Sequence, residues 1–184
     1  MRSIANIEVT TEHIVVDGQE LVVNGQGLDM LYDAYRRYVN DYPKFFKMDG
    51  LCKLGVLASE LLLKTLDEER FIPRDDRAIV LFNRHGSHEA DQHYLSTISD
   101  PDNYFPSPSV FVYTLPNIVT GEIAIRNHYL GETSFYVLND NDTAAMQRLV
   151  AATFSDPATQ SVLTGWVDFT DSSHFEANLE IILR

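Results

Sequence analysis

Hydrophobic and polar residues alternate over the first 25 positions. Ile4, Ile7 and Val9 are followed by Ile14 and Val16, then by Leu21 and Val23. Period-two alternation marks half-buried strands, and Asp17-Gly18 between two of the runs is a hairpin turn signal. A short strand and a hairpin are expected here. The spacing then becomes helical. Leu28, Leu31, Tyr35 and Tyr38 share one face of 27–39. Pro43 stops that helix, because proline lacks an N–H and disfavours helix in the residue before it. A second helix is expected over 50–69. Its apolar positions, from Leu51 and Leu54 to Leu62 and Leu66, cover most of the circumference, so it should be well buried. Residues 78–82 (AIVLF) are wholly apolar, the mark of a strand covered on both faces.

A polar loop follows over 83–88, and Pro101, Pro106 and Pro108 mark an irregular stretch. The β-rich 109–115 (SVFVYTL) predicts a strand. A helix is expected over 117–130, capped by Asn117 and closed by Gly131. Next come a strand over 134–138 and a helix that starts at Asp142 or Thr143 and ends before Pro157. Two more strands are expected, over 161–167 and 178–183. Strands alternating with helices over short connections predict a layered α/β domain occupying all of 1–184.

With 45% hydrophobic and 11% aromatic residues the chain can bury a sizeable core, which excludes a disordered tail. Its apolar runs fall short of the roughly 20 residues of a membrane span. The N-terminus carries one Arg and no long apolar stretch, so it reads as the start of the fold and not as a signal peptide. Cys52 is the single cysteine, which leaves no internal disulfide or cysteine-rich zinc site and suggests a reduced, cytoplasmic setting. The net charge of -13 argues against general nucleic-acid binding. The charge is uneven, however. Residues 36–84 hold ten basic residues against eight acids, and 85–184 hold three against thirteen. The first span could offer an acidic partner a surface, or be only a solvated face.

The histidines cluster. His85, His88, Asp91 and His93 have the residue types of a zinc site, but the spacing is not HExxH and the stretch reads as a surface loop and helix start. Ser87, His88 and Asp91 have the types of a hydrolytic triad, without a GxSxG elbow. Gly25-Gln26-Gly27 lacks the third glycine of a dinucleotide fingerprint, since Met30 stands there. Cys52 lies on the buried helix and reads as core. The acids Asp67, Glu68 and Glu69 should end that helix in solvent. No metal or cofactor is expected.

Three segments, in order, resemble the N-terminal half of a β-ketoacyl synthase of the thiolase-like superfamily. They are 42–63 (YPKFFKMDGLCKLGVLASELLL), 105–137 (FPSPSVFVYTLPNIVTGEIAIRNHYLGETSFYV) and 160–169 (QSVLTGWVDF). The Leu115-Pro116-Asn117 motif and the helix ending in Gly131 are the most specific parts. In particular, the chain resembles short synthase-like proteins found beside aryl-polyene or flexirubin-type pigment genes in Bacteroidetes. The resemblance implies a thiolase-like half-domain, a mixed β-sheet covered by helices, with 117–130 as the one buried helix. It also implies that Ser134, Phe135, Tyr136, Val137 and Leu138 form a strand at a dimer interface.

Two departures bear on function. The family places a nucleophilic cysteine about nine residues past the glycine, where this chain has Asp140. A carboxylate is a far weaker nucleophile towards thioesters and would form a labile anhydride. The expected role of Asp140, with Asn139 and Asp142, is instead to cap the next helix. The family also takes oxyanion-stabilising histidines, or His and Asn, from a C-terminal half that this chain, ending at Arg184, is expected to lack. The last strand would then shield sheet surface that this half buries. The expected function is a catalytically incompetent accessory or chain-length-factor-like subunit in fatty-acid or polyene-type biosynthesis. It would pair with itself or with a full-length ketosynthase and contact an acyl carrier protein. The rival is an active 3-oxoacyl-acyl-carrier-protein synthase or acyltransferase, using Asp140, Ser134 or Cys52 as nucleophile or residues lent by a partner.

Overall fold

The computed structural model describes residues 1–66, 68–102 and 104–184. The N-terminal alternation forms β1 (Arg2–Val9), β2 (Ile14–Val16) and β3 (Gln19–Glu20). On β1, Ala5, Ile7 and Val9 are buried, while Asn6 and Glu8 face water. Asp17 and Gly18, both at positive φ, make the two-residue turn that pairs Val16 with Gln19. Helix α1 (Gly27–Tyr38) buries Met30, Leu31, Ala34 and Tyr35. It ends ahead of Pro43, which opens a 3-10 turn over Pro43–Lys47.

Helix α2 (Gly50–Leu63) buries every residue except Lys53. The rest of the chain forms β4 (Arg77–Asn83), α3 (His88–Ser96), α4 (Pro108–Val112), α5 (Ile118–Asn127), β5 (Thr133–Val137), α6 (Thr143–Thr153), β6 (Ser161–Asp171) and β7 (His174–Leu183). The strands lie in one mixed sheet, ordered β3-β2-β1-β7-β6-β4-β5. β4 runs parallel to both β5 and β6, and the remaining pairings are antiparallel. On β4, Ile79 and Leu81 enter the main core with α1, α2 and α5. Ala78, Val80 and Phe82 enter a smaller core under α6, with Val150, Val162 and Trp166. Burial on both faces is why this strand has no polar alternation.

Several expectations are corrected. Residues 109–115 are not a strand. The Ser107 hydroxyl accepts from the Val110 N–H at 3.4 Å, and Pro108 occupies the first helical turn, so start signals override β-propensity and α4 forms. The buried helix is α2 and not 117–130, for α5 buries one face and leaves Ile125 66% exposed. Asn117 makes no side-chain cap, and His128 in the left-handed region, not Gly131, closes α5. Gly131 is required elsewhere, because a β-carbon there would strike the Arg77 carbonyl. Helix α2 stops at Leu63, short of the acid run. Of that run, Glu68 pairs with Arg77 at 2.8 Å, and Asp67 lies outside the described residues. The last strand begins at His174, and it does not cover the sheet but sits within it between β1 and β6.

One charge is forced into this core. Glu60 on α2 has no solvent exposure, and its carboxylate is met by Arg70 at 2.6 Å and Arg126 at 3.5 Å. Asn127 accepts from Arg70 at 2.6 Å, and the Phe71 ring lies between the two guanidiniums, 4.6 and 4.3 Å from their centres. Truncating one member of a buried ionic network strands the others. Glu60→Ala should therefore cost about 3–5 kcal/mol in urea unfolding. A loss below about 1 kcal/mol would mean that the arginines are hydrated and the network carries no weight.

Candidate functional site

In open α/β sheets ligands meet the carboxyl ends of parallel strands. Here β4, β5 and β6 bring three segments to that end: 84–87 after β4, 138–142 after β5, and the last residues of β6. The loop after β4 is held from both sides. Buried Asn83 donates to the Gly86 carbonyl at 2.8 Å and accepts from the Gly86 N–H at 3.0 Å. Asp168 on β6 accepts from the N–H groups of Arg84 and His85, at 3.2 and 3.1 Å. Its second oxygen lies 2.6 Å from His85 Nδ1. A carboxylate at Nδ1 fixes the ring and leaves Nε2 directed away, which suits proton transfer or hydrogen bonding. The Leu138 N–H donates to the Asn83 carbonyl at 2.8 Å, tying the exit of β5 to the same loop.

Asp140 lies on the exposed turn between β5 and α6, and its part in the helix start is only through its backbone carbonyl, which accepts from the Asp142 N–H. The capping carboxylate is that of Asp142, which accepts from the Ala145 N–H at 3.0 Å, so the cap expected of Asp140 falls to its neighbour. The three candidate nucleophiles occupy separate elements. Asp140 is on that turn. Ser134 is on β5, where it donates to Glu132 at 2.8 Å. Cys52 is buried in α2.

The histidine cluster disperses in the same way. His85 turns to Asp168, His88 to Gln92 at 2.8 Å, and His93 to a cleft near α4. Ser87 donates to the Thr114 carbonyl at 2.5 Å instead of engaging His88. Among the described residues, no group of three His, Cys, Asp or Glu side chains is placed to hold a metal ion. None of the helices is long and apolar enough to cross a membrane, again among those residues. Gly25 and Gly27 lie at the turn into α1.

Strand β5 pairs with β4 on one side and forms the sheet edge on the other. Tyr136 stacks on Phe82 with ring centres 5.6 Å apart, which anchors the strand, while Val137 remains 54% exposed.

A second group of ionisable side chains lies at the start of α2, which sequence reasoning missed. Asp49 caps α2, accepting from the Cys52 N–H at 3.0 Å. A polar residue just before a helix is a readable cap signal. The burial that distinguishes Asp49 is not readable, because α3 and α4 supply it. Its carboxyl borders a cleft of about 300 Å³ shared with Lys47, His93 and Tyr113. Burial pushes its pKa up to about 6. The Cys52 thiol is pushed well above its usual value, first by burial and then by Asp49, so it stays protonated and unreactive. Burial, then the charge of Glu122, raises Tyr113 to about 12. Glu122 on α5 is itself buried and accepts from Lys44 at 2.5 Å and Tyr42 at 3.3 Å.

No protein-family model matches the chain, and no curated protein matches it. Solved structures do. A ketosynthase in complex with its chain length factor from Xenorhabdus doucetiae aligns with a TM-score of 0.59 at 17% identity, covering 77% of this chain and 60% of that one. The ishigamide ketosynthase/chain length factor gives 0.64 at 18%, over 75% and 44%. A type II PKS acyl-carrier protein in complex with its ketosynthase bound to the hexaketide gives 0.58 at 16%, over 100% and 64%. The chain thus spans between 44% and 64% of the length of these matched chains.

The raised Asp49 value has a sign. Protonated Asp49 contributes stability that is fully present below about pH 4 and is lost as pH rises through about 6. Asp49→Asn keeps a capping side chain without the charge. Relative to wild type it should gain about 1–2 kcal/mol between pH 4.5 and 7 in urea unfolding. Parallel pH profiles for the two proteins would show that Asp49 does not titrate in that window. These placements and the structural matches give the chain the mixed-sheet, thiolase-like α/β fold of ketosynthases and chain length factors.

Proposed function

We propose that the chain is a non-catalytic, ketosynthase-like accessory subunit, comparable to a chain length factor, that pairs through β5 with a full-length ketosynthase or with a second copy of itself. All of 1–184 would act as one such unit in fatty-acid or polyene-type biosynthesis, alongside an acyl carrier protein. The observation that carries the reading is the open edge of β5. The strand is anchored on one side, and among the described residues no strand pairs with its other side. Such an edge invites pairing, and an added strand satisfies it. The chemistry agrees. An exposed carboxylate at 140, a serine bonded to Glu132 and a buried thiol with a raised pKa do not form an acyl-transfer nucleophile with its base.

The test is co-purification of the tagged chain with a ketosynthase encoded beside it. Wild type should recover a fixed-stoichiometry dimer. Ser134→Lys with Val137→Lys, which places charge on the edge, should abolish recovery with little change in Tm. Recovery that survives the charged edge would move the interface elsewhere. Intact mass after incubation with acyl thioesters should stay unchanged. A stable adduct lost in Asp140→Ala would establish the enzyme reading instead.

A further inference from the structure

The cleft of about 300 Å³ at the start of α2 has no part in pairing through β5, and its lining is chemically mixed. Lys47 comes from the 3-10 turn, Asp49 from the residue before α2, His93 from α3 and Tyr113 from the residue that ends α4. Buried Met48 and Ala90 supply the apolar part. Among the described residues, the Lys47 ammonium, the His93 ring and the Tyr113 hydroxyl bond no other side chain or carbonyl. Asp49 differs. Its Oδ1 accepts from the Cys52 N–H at 3.0 Å, which fixes the carboxyl in the cleft wall. Four segments thus bring one carboxyl and three uncommitted donors to an apolar hollow. A hollow with a few convergent polar groups is the form of a small-molecule site.

We infer that this cleft binds a small monocarboxylate with an apolar body, whose carboxylate sits among Lys47, His93 and the Asp49 carboxyl and whose body lies on Met48 and Ala90. The inference does not rest on the accessory-subunit reading. Burial pushes Asp49 up to about 6, so near neutral pH it takes a proton at small cost. A protonated carboxyl donates a short, charge-assisted bond to a carboxylate, whereas an ionised one repels it. The ligand therefore enters as an anion, one proton passes from solvent to Asp49, and no covalent bond of the ligand breaks.

The lining selects that ligand. A cation would face Lys47 and would gain the charge of Asp49 only by displacing its proton. A phosphate dianion would set a second negative charge against Asp49 and leave Met48 and Ala90 uncovered. The volume is at the low end for a ligand pocket, so the apolar body is small. The charges around Asp49 keep the same sign. Glu89 on α3 raises it further, while the bonds to Cys52 and the charge of Lys53 on α2 oppose the rise without cancelling it. Lys47, His93 and Tyr113 face it from the 3-10 turn, α3 and α4. Glu122 on α5, whose charge reaches Tyr113, is paired with Lys44 at 2.5 Å.

The experiment is isothermal titration calorimetry of the full chain with sodium hexanoate, in two buffers of different ionisation enthalpy so that protons are counted. Wild type should bind one hexanoate and take up most of a proton at about pH 7. It should bind about twentyfold more tightly at about pH 5.5 than at about pH 7.5. Hexanamide, hexylammonium and inorganic phosphate should each bind about tenfold more weakly or worse. Lys47→Ala, at an exposed position, should weaken hexanoate binding about tenfold. Asp49→Asn keeps a donor for the carboxylate, so it should still bind, with proton uptake lost and affinity changing less than about threefold over the same pH range. His93→Gln removes the other side chain here that gains charge on acidification, and should weaken binding while leaving the proton uptake in place. Absence of saturable hexanoate binding would overturn the inference. So would unchanged affinity in Lys47→Ala, or proton uptake that survives Asp49→Asn and disappears in His93→Gln. Pairing through β5 is read separately by co-purification, so its failure would leave this site standing.

Discussion

Helix α2 has to be kept from water around almost its whole circumference. Leu54, Leu57 and Leu62 are at most 1% exposed, and each such side chain contributes about 1.5–3 kcal/mol by leaving water. No single sheet face can cover a helix this apolar. It is enclosed by the sheet on one side and by α1, the 3-10 turn and α5 on the others. The layering of the domain follows from that requirement. So does the fate of its polar residues. Glu60 is carried into the core by its neighbours and has to be met by two arginines. The cost of desolvating its charge is several kcal/mol, which a run of buried leucines offsets. Asp49, at the other end, caps the helix but is enclosed by the elements packed there, which raises its pKa.

With α1, α2 and α5 filling one face, the crossover between β5 and β6 lies on the other, where α6 covers Val80, Phe82 and Trp166. Parallel strands flanking β4 then bring three loops to one end of the sheet. The loop after β4 is fixed by Asn83 and Asp168 without contributing to the hydrophobic core. The same topology leaves β5 at the edge. The turn after it carries Asp140, whose backbone carbonyl accepts from the Asp142 N–H at the helix start.

Much of this was legible in the sequence, for identifiable reasons. Alternation gave β1 and its hairpin because Asp17-Gly18 tolerates the positive φ that the turn needs. The apolar 78–82 gave a doubly covered strand because nothing polar fits either face. Residues 108–112 form a helix despite the β-branched and aromatic content of 109–115, because the Ser107-Pro108 start signal lies just ahead of that stretch. Gly131 misled because glycine serves close approach as well as helix ends, and His128 took the left-handed position. The His85–Asp168 contact joins residues 83 apart, and the enclosure of Asp49 comes from helices 40 to 60 residues downstream in sequence. Period and motif carry no information about such distances.

The charge distribution now has a physical form. Five of the ten cations of 36–84 are paired, Arg37 with Asp33, Lys44 with Glu122, Arg70 with Glu60, and Arg74 and Arg77 with Glu68 and Asp76. Among the described residues Arg36, Lys47, Lys53, Lys64 and Arg84 have no ion pair, and they lie apart, on α1, the 3-10 turn, the start and end of α2 and the loop after β4. Edge pairing along β5 would rest on backbone hydrogen bonds and change little with salt, whereas any contact made through the unpaired cations would weaken as salt rises, so ionic strength separates the two kinds of surface.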